Sequence, residues 1–148
     1  MAYFEWADDL VIDHGPIDAD HQRLVALVNC LHTATSEGHG QEVVDQILHE
    51  LVDYTRGHLR REEQLMANIH YPGLAQHKTA HDKFILRIQG LQAKYEAGSI
   101  TVASQLSTVL RDWLSVHIRR EDKGFKPYLH RNEGAPNGTQ SYIPLLTP

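Results

Sequence analysis

The sequence predicts an all-α protein: an antiparallel up-down-up-down four-helix bundle with an N-terminal arm and an extended C-terminal tail. Three observations carry that prediction. Turn-forming residues divide the chain into four segments of helical length, each segment has one stripe of apolar residues mixed with histidine, and the connections between segments are short. Loops of a few residues return consecutive helices antiparallel, and no segment shows the sustained alternation of a strand.

The arm, residues 1–16, contains Tyr3, Phe4, Trp6, Leu10, Val11 and Ile12 without helical spacing and is expected to lie across the bundle. In the first segment His21 stands in line with Leu24, Val28 and Leu31, and Gly38-His39-Gly40 ends it. The second places Val44, Leu48, Leu51, Thr55, His58, Glu62, Leu65 and Ile69 on one face, and stops at Tyr71-Pro72-Gly73. The third repeats the pattern with Leu74, His77, His81, Phe84, Ile88, Leu91 and Tyr95 before Gly98-Ser99. The fourth carries Leu106, Leu110, Trp113 and His117. Gly124 and Pro127 are expected to break it early, which sets the bundle at 1–130 and the tail at 131–148. The tail is rich in glycine and proline, but Tyr142, Ile143, Leu145 and Leu146 give it an apolar cluster that predicts docking on the bundle or on a neighbouring molecule.

A chain of 148 residues with 41% apolar content is long enough to bury one domain's core. Its formal charge of −5 argues against nucleic acid as a partner, because such binders need clustered Lys and Arg to displace counterions. Cys30, the single cysteine, has no intrachain partner and is expected to be a small core or boundary residue. The N-terminal residues lack a basic stretch followed by an apolar one, and no apolar run approaches the roughly 20 residues of a membrane span, so a cytoplasmic protein without an integral membrane segment is expected. The unusual number is eleven histidines.

His58 and Glu62, like His77 and His81, are four apart, about 40° around a helix and one turn along it, so each pair can reach one ion. Both lie on inward stripes, where an unpaired imidazole or carboxylate is costly to bury and metal coordination removes the cost. His117 and Asp122 are five apart, about 140° on a regular helix, and both face inward only if the turn between them widens to a π-type bulge. A lone histidine on an apolar face is more often a hydrogen-bonded core residue than a ligand. Five histidines on four inward stripes point instead to metal. His14, His32, His39, His49, His70 and His130 fall off the stripes and are expected to be solvated, while Arg60, Arg61, Arg119, Arg120 and Glu121 read as an exposed charged face.

The spacing of His21, His58-x-x-x-Glu62, His77-x-x-x-His81 and His117-x-x-x-x-Asp122 resembles the bacteriohemerythrins of the hemerythrin family over roughly residues 6 to 122. Trp6, Ile17-Asp18-Ala19-Asp20-His21 and Tyr71-Pro72 add to the likeness. The resemblance implies two non-haem irons, one on His77, His81 and His117 and the other on His21 and His58, bridged by Glu62, Asp122 and an oxo or hydroxo group. Two octahedral ions then have one vacant position between them, on the ion with two histidines, where dioxygen would bind. Leu24, Leu59, Leu114 and Ile118, each a turn or less from a ligand, are candidate walls of a dry oxygen pocket. The chain departs from the family at Phe125, where a tyrosine is expected near the site.

Reversible dioxygen binding, as carrier, store or local supplier to an oxygen-consuming enzyme, is therefore the expected function, in a monomer or weak oligomer and without enzymatic activity. Oxygen or redox sensing, a di-iron peroxidase or oxidase, and a zinc-stabilised bundle are the alternatives. Ferritin-like enzymes use carboxylate-rich sets with Glu-x-x-His pairs, which are missing here, and seven donors exceed what one tetrahedral zinc uses.

Overall fold

The computed structural model describes residues 2–99 and 101–133. Four long helices, α1 (Pro16–Ser36), α2 (Gln41–Asn68), α3 (Leu74–Glu96) and α4 (Val102–Val116), form the bundle, and the described residues contain no strand. Both α1 and α3 pack against α2 and α4, which closes the four into a ring of sequence neighbours. All eight stripe residues of the second segment are buried, as are His21, Leu24, Val28 and Leu31 of α1. No helix of the described chain is long and apolar enough to cross a membrane.

Local chemistry sets the helix ends. Before α1, the Asp13 carboxylate accepts hydrogen bonds from the backbone N–H groups of Gly15 (2.8 Å), Ile17 (2.9 Å) and Asp18 (3.0 Å), and Pro16 occupies a first-turn position that needs no donor. Asp18 answers by accepting from Ile12 N (2.8 Å) and His14 N (2.7 Å). Helices α1, α2 and α3 all finish in a left-handed residue whose successor donates back five residues: His39 N to Ala34 O, Tyr71 N to Met66 O and Ser99 N to Lys94 O. Gly38 and Gly98 supply the positive φ at two of these ends, and His70 supplies it at the third with φ 56°.

The arm crosses the bundle as expected, with Phe4, Leu10 and Ile12 buried and a 3-10 turn at Asp8–Leu10. Arg119 grips Asp9 through Nε (2.6 Å) and Nη2 (3.1 Å), and Lys126 Nζ reaches Val11 O at 3.3 Å. Tyr3 stacks on His32 with ring centres 3.7 Å apart, so His32 is half-buried under the arm instead of solvated. Cys30 is exposed, because the inward face of α1 passes through Leu27, Val28 and Leu31 and turns position 30 outward. His14, His39, His49 and His70 are exposed as expected.

After α4 the backbone widens into a π segment, His117–Asp122, and then resumes as α5 (Lys123–Glu133). The early break expected at Gly124 and Pro127 does not occur. Proline clashes with the carbonyl four residues before it, which here is Lys123, at the junction with the widened turns where the regular ladder is already interrupted. Phe125 and Leu129 are buried, so the helix carries useful core residues past the proline. The cluster Tyr142, Ile143, Leu145 and Leu146, and the side chain of His130, lie outside the described residues.

Candidate metal centre

Five imidazoles and two carboxylates meet at the middle of the bundle: His21 from α1, His58 and Glu62 from α2, His77 and His81 from α3, and His117 and Asp122 from the π segment. Each is 5% exposed or less. The wide turn is what lets His117 and Asp122 face the same way, as their five-residue spacing requires. Glu62 and Asp122 stand between two groups of histidines. Glu62 Oε1 faces His77 (3.4 Å), His81 (3.3 Å) and His117 (3.5 Å), while Oε2 faces His21 (3.1 Å) and His58 (3.0 Å). Asp122 Oδ1 lies 3.0 Å from both His77 and His117, and its Oδ2 lies 3.1 Å from His21. Each carboxylate thus turns one oxygen to each group.

A second layer fixes the rings. Asp20 accepts from His58 Nδ1 (3.0 Å), Arg61 Nε (2.8 Å) and the Tyr54 hydroxyl (2.8 Å). Glu63 Oε2 is 2.9 Å from His81 Nδ1, and Glu121 Oε2 is 2.6 Å from His117 Nδ1. Two residues expected on an exposed charged face therefore act at the centre: Glu121 holds a histidine directly and Arg61 holds Asp20. Glu63 was not singled out by the sequence, and Asp20 only as part of the Ile17–His21 motif, although each lies next to a predicted site residue.

Carboxylates beside Nδ1 of His81 and His117 turn both Nε2 atoms inward, where they are only 3.0 Å apart. His77 Nε2 is 3.1 Å from the same His117 atom. Nitrogens this close need a proton or a metal ion between them. Asp122 Oδ1 and Oδ2, Glu62 Oε1 and His58 Nε2 are moreover buried without hydrogen-bond partners among the described residues. The donor set fits metal. The described donors form two overlapping groups able to hold an ion, Glu62-His77-His81-His117 and His21-His58-Glu62-Asp122.

Without metal, the charges of the same groups compensate one another. Burial disfavours the imidazolium of His21, but Asp122 and Glu62 overrule it and raise its pKa to about 10. The same contest, with the same carboxylates, raises His77 to about 9. For His117 burial is outweighed by Asp122, Glu121 and Glu62, and the pKa rises to about 12. Burial pushes Glu62 and Asp122 upward, yet the histidines around them hold both below the usual carboxylate range. Asp20 is depressed too, with His58 and Arg61 prevailing over burial.

Leu24, Leu59, Leu114 and Ile118 are all 1% exposed or less. The Phe125 ring is buried 6.0 Å from His77 and 6.1 Å from Tyr71, which brings a phenol to this end of the centre from the α2–α3 connection.

Residues 15–129 match the family described as the Hemerythrin HHE cation binding domain. A bacteriohemerythrin of Stenotrophomonas maltophilia (strain R551-3) is 37% identical over 125 residues, covering 84% of this chain and 80% of the relative. One from Methylococcus capsulatus (strain ATCC 33009 / NCIMB 11132 / Bath) is 35% identical over 130 residues, covering 87% and 98%. The crystal structure of a wild-type hemerythrin aligns with a TM-score of 0.77 at 30% identity, over 85% of this chain and 97% of the other. Fold, converging donors and sequence likeness agree, and the chain belongs to the hemerythrin family.

Proposed function

We propose that this protein binds dioxygen reversibly at a pair of non-haem irons, as a carrier, store or local supplier and not as an enzyme. The observation that carries the reading is the donor set: five imidazoles and two carboxylates, each carboxylate with one oxygen toward either histidine group. In this reading His77, His81 and His117 would hold one iron, His21 and His58 the other, and Glu62 and Asp122 would offer one oxygen to each. An iron pair held there would supply two electrons and a place for dioxygen.

Seven converging donors exceed what one tetrahedral zinc uses, and their two overlapping groups suit a pair of ions.

The chain's own residues supply the rest. Asp20, Glu63 and Glu121 hold protons on the outer nitrogens of three imidazoles, which keeps the inner nitrogens free to donate and fixes the ring angles. Leu24, Leu59, Leu114 and Ile118 exclude water and proton donors from the pocket, so a bound oxygen molecule leaves as it came. An imidazole-rich set, unlike the carboxylate-rich set of ferritin-like oxidases, leaves the site nearer to reversible binding than to oxidation of substrates.

Metal analysis with absorption spectra recorded anaerobically, in air and again after oxygen removal tests the proposal. Two irons per chain and a visible band that appears with oxygen and disappears on its removal are expected. Zinc occupancy, or rapid turnover of peroxide without a reversible band, counts against it.

A further inference from the structure

Trp113 couples the centre to the surface. Its indole is stacked on the His117 imidazole, with ring centres 4.2 Å apart and 13° between planes, and on its other side it is stacked on Phe84 at 3.7 Å and 4°. His81 lies edge-on at 6.3 Å. The indole is half-buried, so a stack of aromatic rings leads from the surface to His117, a proposed ligand.

The surface around it is apolar and flanked by cations. Of the three large apolar side chains exposed among the described residues, Leu86 (68%) and Val116 (53%) lie on the α3–α4 face. Val109, Trp113 and Val116 are spaced four and three apart and share one side of α4. One turn before Trp113 an open groove of about 620 Å³ runs between α3 and α4, floored by Leu91 and Val109 and flanked by Arg87 and Lys94. No acidic side chain lines it, although the chain carries a net charge of −5. Asp112, beside Trp113, is engaged by Arg111 at 3.0 Å.

We propose that the α3–α4 face is an electron-entry surface where an acidic one-electron carrier protein, of the reduced iron–sulfur or flavin class, docks, and that Trp113 is the last residue on the way to the metals. The inference rests on the reading of the centre as a redox-active iron pair. An oxygen-binding pair that loses its electrons stops working until they are replaced. In each transfer the carrier is oxidised by one electron and one ferric ion is reduced to ferrous, so two transfers restore the pair. Electron transfer through protein falls off exponentially with the gap between donor and acceptor, and a ring stacked on a ligand shortens that gap. The apolar groove supplies contact area, and its two cations supply charge complementarity to an acidic partner.

The test uses the iron-loaded, oxidised protein and a reduced [2Fe–2S] ferredoxin of acidic surface, followed by stopped-flow absorbance. Arg87→Glu with Lys94→Glu is expected to lower the second-order rate at least tenfold at low salt and to leave reduction by dithionite unchanged. Trp113→Leu is expected to slow the first-order transfer at least tenfold without weakening association, and Trp113→Phe, which keeps a ring on His117, to slow it less. Iron content and circular dichroism confirm that each variant is folded and loaded. Association is read separately, from amide shifts when oxidised ferredoxin is added to the metal-free chain; they are expected on α3 and α4 around the groove. Transfer at the wild-type rate in Trp113→Leu, or shifts confined to another face, overturns the proposal alone. A chain that holds no reducible iron overturns the function proposed above and this inference with it.

Discussion

The hydroxyl of Tyr71 fills the space that a side chain at position 124 would need: a Cβ on Gly124 would lie 2.6 Å from it. The same ring leaves no room at Gly73, where a Cβ would come within 2.6 to 2.8 Å of three of its atoms. Tyr71 is thus clamped between the start of α3 and the first turn of α5, against Phe125. Gly124→Ala is expected to destabilise the protein by about 1–2 kcal/mol, because the phenol must shift, even though alanine is the better helix former. Removing the hydroxyl should relieve the clash. In a double-mutant cycle by thermal unfolding, Tyr71→Phe is expected to recover most of the loss, and additive effects would show that the phenol is not the obstacle.

Asp20 orients a proposed ligand and is itself well held, with three donors on its two oxygens. Asp20→Asn keeps the shape and loses the charge that orients His58. Metal affinity, measured by competition with a chelator, is expected to fall about 10- to 100-fold. Asp53→Asn, an exposed change on the same bundle, should leave it unaltered.

Stability should respond to pH in opposite senses with and without metal. In the metal-free protein, His21, His77 and His117 have folded pKa values raised to about 10, 9 and 12, against an unfolded value of 6.5. Their contribution is complete below the unfolded value and is lost progressively as pH rises through the folded ones. The depressed carboxylates, Glu62 and Asp122, are already ionised in both states in this range. Between pH 7 and pH 9 the melting temperature of the metal-free protein is therefore expected to drop by several degrees. In the loaded protein the metal takes the place of those protons, and its melting temperature should hold or rise. Parallel curves would disprove the account.

Deleting a donor should separate the centre from the histidines elsewhere. Glu62→Ala removes the one residue shared by both candidate ion groups and is expected to cost at least one metal ion per chain by elemental analysis. His39→Ala, at an exposed imidazole near Glu37, is expected to cost none.

The bundle and the converging residues were legible because burial imposes a period. A residue that must face the core every three or four positions leaves a stripe, and the histidines stood on those stripes. Even the wide turn at His117–Asp122 could be read, since five-residue spacing contradicts a regular helix. The second layer was not legible, for the same physical reason. Glu121, Arg61 and Glu63 sit at the margin between core and solvent, where a charged side chain normally signals exposure, and only the three-dimensional fold shows that they bend back toward an imidazole. Gly124 and Pro127 misled differently: each is a helix breaker by itself, but the glycine accommodates Tyr71, and the proline follows a turn whose hydrogen bonding has already changed.

That wide turn also acts as a phase shifter. One additional residue rotates everything after it by roughly a quarter to a third of a revolution relative to an uninterrupted helix. Phe125 and Leu129 fall on the core side of α5 only because of that offset. If the offset were ironed out, either His117 or Asp122 would swing outward, and the hydrophobic anchors of the last helix would swing with it. Assembly of the inner coordination cage and seating of the chain's end are therefore a single geometric decision, made once, at six consecutive residues.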